Sequence, residues 1–159
     1  MGEALESPKP DDLKQFSLLV EFDEQDRIDL CELLEPLALK SGKTLFKERD
    51  EADVLYLIRE GSIRIRSEAA GNLGLLCGGA TLGAISLMSI GAREADAVAE
   101  SDCEFAILTR AGFRRLFEDA PRTACRLAEA VVAELASGLR PNLARVKREF
   151  SSDEIVHSG

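Results

Sequence analysis

Histidine is nearly absent from this 159-residue chain, whose single copy is His157, close to the carboxyl terminus. The cysteines lie far apart and form no CxxC pair, so the spacings typical of zinc and iron–sulfur sites are missing. Without a second histidine there is no Cys–His or Ser–His pair for nucleophilic catalysis. We therefore predict that the protein is not an enzyme, with no catalytic residue and no metal site. We expect free, buried thiols at Cys31, Cys77, Cys103 and Cys125.

Long apolar runs are also missing, and none approaches the roughly 20 residues that span a bilayer. The amino-terminal MGEALESPKPDD is too polar and acidic for a signal peptide, so we expect a cytoplasmic protein without a membrane contact. The 29 acidic and 20 basic residues give a net charge of −9, which repels phosphate backbones. We interpret the one basic cluster as a solvated helix end rather than a DNA contact: Arg140, Arg145, Lys147 and Arg148.

Length and composition fit one globular domain, because domains usually contain about 100–150 residues. The chain is 45% hydrophobic and 31% charged, which is ordinary for a folded protein. We predict polar tails over residues 1–10 and 151–159 and one domain over residues 11–150. Within the domain, we predict a β-barrel over residues 40–108 and C-terminal helices over residues 109–150.

Helical periodicity occurs at both ends of the predicted domain. Apolar residues recur at helical spacing between Asp23 and Leu39, with Asp23 as the N-cap and Pro36 near the stop. A shorter upstream helix is predicted from Leu13, Phe16, Leu19 and Val20. Near the carboxyl terminus, Thr109 is a predicted N-cap, and Pro121 opens a long helix. The apolar positions of that helix are Leu127, Val131, Leu135 and Leu139, which could cover the open side of the barrel.

Between these helices the apolar pattern becomes that of short strands separated by glycine-containing turns. Residues 62–66 alternate strictly between apolar and polar side chains, which predicts a strand with one solvated face. Further short strands are predicted at residues 45–46, 54–58, 73–77, 95–99 and 103–108. Many short strands framed by helices predict a mainly β protein, either a small barrel or a jelly roll.

Three sequence runs occur in an order that resembles a known family. They are LFKERDEADVLYLIREGSIRIR at residues 45–66, LGAISLMSIGARE at 82–94, and AVAESDCEFAILTRAGFRRL at 97–116. Together they resemble the cyclic-nucleotide-binding domains of catabolite-activator and FNR-type sensors. The resemblance implies a jelly-roll β-barrel (a double-stranded β-helix) with N-terminal helices and a long C-terminal helix. The second run resembles the phosphate-binding cassette of that family, and we call residues 82–94 the cassette.

The resemblance also implies roles for individual cassette residues. In the family, a glycine allows close backbone approach, a glutamate accepts the ribose 2′-hydroxyl, and an arginine binds the cyclic phosphate. The matching glycine and arginine here are Gly83 and Arg93. The cassette departs from the pattern at Ala84, where the glutamate is expected, and at Glu94, where a small neutral residue is expected. The candidate ligand-binding residues are Gly83, Ala84, Ile85, Ser86, Arg93 and Glu94.

Two functions follow from this cassette. We favour a stand-alone regulatory module with a degenerate cassette that acts by protein–protein interaction and has no cofactor. The alternative is a sensor of cyclic AMP, cyclic GMP or another small anion, which it binds through Arg93. In the first case, Arg93 would form a local ion pair with Glu94 or Asp96, and in the second it would bind the anion.

The long C-terminal helix predicts how the module assembles. In the family this helix closes the ligand pocket and pairs with its twin in a homodimer. Val132, Leu135, Leu139, Asn142 and Val146 follow the 3-4-3-4 spacing of a paired-helix seam. We therefore predict a homodimer, an additional unidentified protein partner, and no DNA binding, since too few residues follow Leu139 for a winged helix. The predicted interface residues are Val131, Val132, Leu135 and Leu139.

Overall fold

Within residues 5–137, which the computed structural model describes, ten strands lie between helical segments at either end. The strands are β1 Glu35–Leu39, β2 Thr44–Phe46, β3 Glu51–Ala52, β4 Val54–Glu60, β5 Ser62–Ser67, β6 Gly71–Cys77, β7 Thr81–Leu82, β8 Gly91–Ala92, β9 Asp96–Ala99 and β10 Cys103–Thr109. The α-helices are α1 Glu24–Cys31, α2 Arg110–Asp119 and α3, helical from residue 121 to residue 137. Short 3-10 helices occupy Pro10–Gln15, Ser17–Leu19 and Ala84–Leu87. Leu139, the basic cluster, His157 and the tail at 151–159 lie outside the described residues.

The strands form two four-stranded antiparallel sheets and a small third sheet. The first sheet has the order β1-β10-β4-β7, the second has the order β2-β9-β5-β6, and β3 pairs with β8. The sheets are separate hydrogen-bonded units rather than one closed ladder. The predicted fold class is confirmed: a mainly β jelly roll with flanking helices.

The first sheet separates two apolar clusters. Successive side chains of a strand point to opposite faces, so Leu57 of β4 packs with the helices and its neighbour Ile58 faces the second sheet. On β10, Phe105 faces the second sheet while Ala106 packs with the helices. The helical cluster also contains Leu13, Phe16, Leu30, Leu116, Leu127 and Val131. No helix within residues 5–137 is long and apolar enough to cross a membrane.

The predicted helix over 23–39 is correct only at its start. Asp23 is the N-cap, since its carboxylate accepts from the Asp26 N–H at 2.9 Å. The helix ends at Cys31, however, and residues 35–39 form β1, before the predicted barrel boundary at residue 40. Pro36 pairs with Ala106 of β10. Proline is tolerated there because β1 is at the edge of its sheet.

Other local predictions have mixed outcomes. The N-cap at Thr109 is confirmed by a 3.0 Å bond from the Gly112 N–H, and α3 begins at the predicted proline. The upstream segment forms two short 3-10 helices instead of one helix, and Val20 is 74% exposed instead of packing in the core. All four cysteines are free, but only Cys103 is buried, Cys31 is half-buried, and the other two are exposed. Burial raises the pKa of the Cys31 thiol to about 11, which keeps it protonated at neutral pH.

Carboxylates of α1 hold the start of α3 in place. Asp26 is only 2% exposed, and its oxygens accept from Thr123 Oγ1 at 2.9 Å and from Arg126 Nη1 at 2.5 Å. It also accepts from the Asp23 N–H at 3.1 Å. Burial would raise the pKa of Asp26, but these hydrogen bonds and the Arg126 charge outweigh it and hold the pKa below its usual value. Sequence patterns at α1 alone predict the cap but not this contact with α3.

Asp26→Asn should lower the free energy of unfolding by about 2–3 kcal/mol at neutral pH, because Arg126 loses the nearer and buried one of its two carboxylate partners, Asp26 and Asp23. The folded pKa lies below the unfolded value of about 3.9, so this contribution is present above that value and lost as pH falls through the folded pKa. Urea unfolding of both proteins from neutral pH to about pH 3 measures the difference, which should narrow below about pH 4. The control Asp119→Asn, in an exposed pair with Arg115, should change stability by less than about 0.5 kcal/mol. A loss at Asp26 that does not depend on pH would contradict this account.

Candidate functional site

The cassette is a loop anchored at both ends by strand pairing. At its start, Leu82 of β7 pairs with Tyr56 of β4, and at its end, Gly91 of β8 pairs with Ala52 of β3. Between them the chain forms the 3-10 helix Ala84–Leu87, which we call the cassette helix. Arg93 follows β8 directly, so β8 carries this arginine back beneath the cassette helix.

Gly83 begins the cassette helix in a conformation that disfavours other residues. Its φ is +79°, in the left-handed region, which glycine enters without the Cβ penalty. A Cβ at this position would overlap Nη1 of Arg93 and lie 2.7 Å from the Val54 carbonyl oxygen. The glycine therefore permits both the turn and the close approach of the Arg93 guanidinium to the backbone.

The Arg93 side chain is the buried centre of the cassette, with 7% of its surface exposed. Its Nη1 donates to Ser86 Oγ at 3.2 Å, and its Nη2 donates to the Val54 carbonyl oxygen at 2.9 Å. The guanidinium carbon lies 4.3 Å from the ring centroid of Phe46 and 5.4 Å from that of Tyr56. Both distances lie within the range of cation–π attraction.

One nitrogen of this buried guanidinium lacks a partner. Within residues 5–137, Arg93 Nε donates to no hydrogen-bond acceptor, and none of the ion pairs in that range includes Arg93. Burial lowers the pKa of Arg93, and the neighbouring Tyr56, Asp53 and Asp50 offset only part of that effect. An arginine nevertheless remains protonated in proteins. The site therefore holds a positive charge with unused donor capacity.

The predicted ion pair of Arg93 with Glu94 or Asp96 is wrong. Asp96 instead accepts from the Glu48 N–H at 2.6 Å, through its Oδ1. Glu94 is exposed at the rim of the site. Sequence proximity misleads here because the Arg93 guanidinium turns inward to Ser86 and Val54, while the bend at Glu94 and Ala95 leaves the Glu94 side chain exposed.

A cavity of about 530 Å³ opens beside Arg93. Five of the six predicted ligand-binding residues line it: Gly83, Ile85, Ser86, Arg93 and Glu94. The sixth, Ala84, is half-buried and packs against the helical cluster instead. The other walls are mainly apolar and include Phe46, Ile65, Leu82 and Leu135. The arrangement suits a ligand with one negative group at Arg93 and a body that contacts apolar side chains.

Helix α3 reaches this cavity through Leu135, which is 42% exposed. Of the other predicted interface residues, Val131 is fully buried in the helical cluster and is not available to a second copy. Val132 is exposed, and Leu139 lies outside the described residues. Helix α3 therefore packs on the helical cluster outside the first sheet through Val131, while Leu135 contributes to the cavity wall.

Sequence reasoning missed three residues of the site. Phe46 and Tyr56 stack on Arg93 from strands β2 and β4, which belong to different sheets. Arg110, the first residue of α2, donates to the Ser86 carbonyl oxygen. Each contact joins residues far apart in the chain, so no local spacing could have predicted it.

Comparison with known proteins matches this chain to a family model and to a curated relative. A family model described as "Cyclic nucleotide-binding domain" matches residues 36–120. The Cyclic AMP receptor protein of Thermus thermophilus is 35% identical over 98 residues, which cover 59% of this chain and 45% of that protein. The chain therefore spans less than half the length of that curated relative.

Solved structures match over more of the chain. The N-terminal domain of a transcriptional regulator from Streptomyces coelicolor has a TM-score of 0.71 and 25% identity, covering 80% of this chain and 94% of that one. The Catabolite Activator Protein of Thermus thermophilus has a TM-score of 0.70 and 28% identity, covering 85% of this chain and 62% of that one.

Gly83→Ala should destabilise the protein by about 2–3 kcal/mol, because backbone strain is added to a clash with the Val54 carbonyl and the Arg93 guanidinium. Gly42→Ala is the matched control, since Gly42 has a φ of +84° but nothing within 4 Å of an added Cβ. It should cost only the strain, about 1 kcal/mol. Thermal and urea unfolding of both variants measure the difference. Equal losses would show that Gly83 is needed for its φ alone.

Proposed function

The chain belongs to the cyclic nucleotide-binding domain family, and from this premise we propose that it is a regulatory sensor that binds a small anionic ligand through Arg93. Members of this family are regulatory proteins, and the fold is that of a sensor module. The observation that carries the proposal is the buried Arg93 guanidinium, which lines a cavity and whose Nε has no hydrogen-bond partner among residues 5–137.

The free-energy cost of burying the Arg93 charge favours an anion next to its guanidinium. Removing a charged group from water costs several kcal/mol unless partners compensate it. Two hydrogen bonds and two aromatic rings compensate Arg93 in part, since a desolvated cation–π contact contributes about 2 kcal/mol. A phosphate or carboxylate accepting from the Arg93 guanidinium at the cavity wall would add charge-assisted bonds of about 1.5–3 kcal/mol each.

The volume of the cavity and the contribution of α3 to its wall fit a ligand sensor. Its volume of about 530 Å³ lies within the roughly 300–1,000 Å³ of small-molecule sites. Because Leu135 of α3 lines the cavity, a bound ligand would contact that helix directly. A ligand that binds more tightly to one position of α3 than to another would shift the helix between them.

The phosphate of a cyclic nucleotide fits this site better than its ribose does. Ala84 packs against the helical cluster and carries no acceptor, so the ribose 2′-hydroxyl lacks the partner that a glutamate would provide. A lost hydrogen bond of this kind costs about 0.5–1.5 kcal/mol. Glu94 is exposed, so water and salt screen its repulsion of a phosphate. We propose weak binding of cyclic nucleotides, held by the phosphate.

Calorimetric titration with cyclic AMP and cyclic GMP tests the role of Arg93. Arg93→Met keeps much of the side-chain volume but removes the charge, and should weaken binding about 10- to 150-fold. Arg66→Met, at an exposed position of β5, is the control and should leave affinity unchanged. No heat with wild-type protein at millimolar nucleotide, or equal binding by Arg93→Met, would contradict the proposal.

The same titration with 2′-deoxy cyclic AMP tests the ribose contact. Because no acceptor faces the 2′-hydroxyl from position 84, its removal should change the dissociation constant by less than about twofold. A glutamate-containing cassette would lose more, since its carboxylate accepts that hydroxyl. A tenfold preference of wild-type protein for cyclic AMP over the deoxy compound would contradict this reading of Ala84.

A second candidate is a protein-interaction module with an empty cassette. The observation that favours it is the exposure of three apolar side chains on the cassette: Ile85, Met88 and Ile90, the last 82% exposed. Large apolar side chains exposed close together in the chain are a feature of many interaction sites. The predicted homodimer belongs to this candidate, with Val132 and Leu135 as the exposed residues of α3. Sedimentation with and without cyclic AMP separates the two, because only a sensor would couple assembly to nucleotide.

A further inference from the structure

Arg110 is a second arginine that bonds the cassette, through its backbone carbonyls. Its Nε and Nη2 both donate to the Ser86 carbonyl oxygen, at 3.0 and 2.8 Å. Nη2 also lies 2.8 Å from the Ala52 carbonyl oxygen and 3.1 Å from that of Ser89. Its backbone N–H donates to the Asp53 carbonyl oxygen at 2.9 Å. One residue at the start of α2 therefore bonds both the cassette and the end of β3.

Ser86 is shared by two arginines. Its Oγ accepts from Arg93, while its carbonyl oxygen accepts from Arg110. Ser86 is 2% exposed, so water does not replace either bond readily. A displacement of Ser86 that breaks its contact with Arg110 would also disturb the hydroxyl that orients the Arg93 guanidinium.

We propose that Arg110 is a positioning residue: it fixes Ser86, and through Ser86 it orients Arg93 for the ligand. It does not touch the cavity itself, whose walls include Ser86 and Arg93 but not Arg110. The effect on ligand affinity rests on the function proposed above. The fixing of the cassette does not, because it is a property of the protein without ligand.

The geometry requires an arginine. A planar guanidinium presents donors in a fixed fork that can reach three carbonyl oxygens on two segments, whereas the single ammonium of lysine is a point donor on a flexible stem. Arg110→Lys should therefore fix the cassette only in part, and Arg110→Met should not fix it at all. Arg115→Met is the matched control, since Arg115 lies on the same helix with 70% of its side chain exposed and pairs with Asp119 on that helix.

Hydrogen exchange of the protein without ligand tests the fixing of the cassette. The amides of Ser86, Met88 and Ser89 donate within the cassette, to Gly83 and Ile85. Arg110→Met should accelerate their exchange about tenfold or more, Arg110→Lys should do so less, and Arg115→Met should not. Amides of β4 and β10 should exchange as in the wild-type protein. Unchanged cassette exchange, or equal acceleration throughout the domain, would overturn the proposal.

A double-mutant cycle measured with cyclic AMP tests the path through Arg93. Arg110→Met should weaken binding about tenfold in the wild-type protein but by less than about twofold when Arg93 is already methionine. Equal losses of affinity in the wild-type and Arg93→Met proteins would contradict the proposal that Arg110 acts through Arg93. If the wild-type protein binds no cyclic AMP, the proposed function fails, and the exchange experiment alone decides the role of Arg110.

Discussion

The burial of the Arg93 guanidinium is the constraint on which the arrangement of the cassette depends. A buried cation needs hydrogen-bond acceptors for its N–H groups and polarisable groups close by. Ser86 Oγ, the Val54 carbonyl and two aromatic rings occupy those places. Only glycine at position 83 leaves room for the guanidinium against the backbone, because a Cβ there would overlap the Arg93 Nη1 atom. The turn at Gly83, the cassette helix and aromatic side chains of both four-stranded sheets thus all contact the Arg93 guanidinium.

Local patterns predicted the elements of this fold but not how the elements meet. The N-caps at Asp23 and Thr109 and the alternation along β5 depend on nearby residues, and all three were predictable. Residues 35–39 were misassigned because a short apolar run suits a helix or a strand, and only its pairing with β10 decides between them. That pairing joins segments about seventy residues apart, which no local period encodes.

The candidate site was predictable to the same extent. Five of the six predicted ligand-binding residues line one cavity because a short loop between paired strands keeps them together. The partners of Arg93 were not predictable, since Phe46 and Tyr56 come from other strands and its hydrogen bonds go to a hydroxyl and a carbonyl. Charge proximity in sequence pointed to Glu94 and Asp96, but Glu94 lies exposed on a bend and Asp96 accepts from the Glu48 N–H.

Helix α3 is fixed at one end and open to the cavity further along, which connects the site to the rest of the molecule. Thr123 and Arg126, in its first turns, are bonded to the buried Asp26 of α1. Leu135, about three turns beyond Thr123, lines the cavity and is partly exposed. A ligand bound at Arg93, as proposed above, would contact α3 at Leu135, beyond the turns that Asp26 holds and beyond the buried Val131.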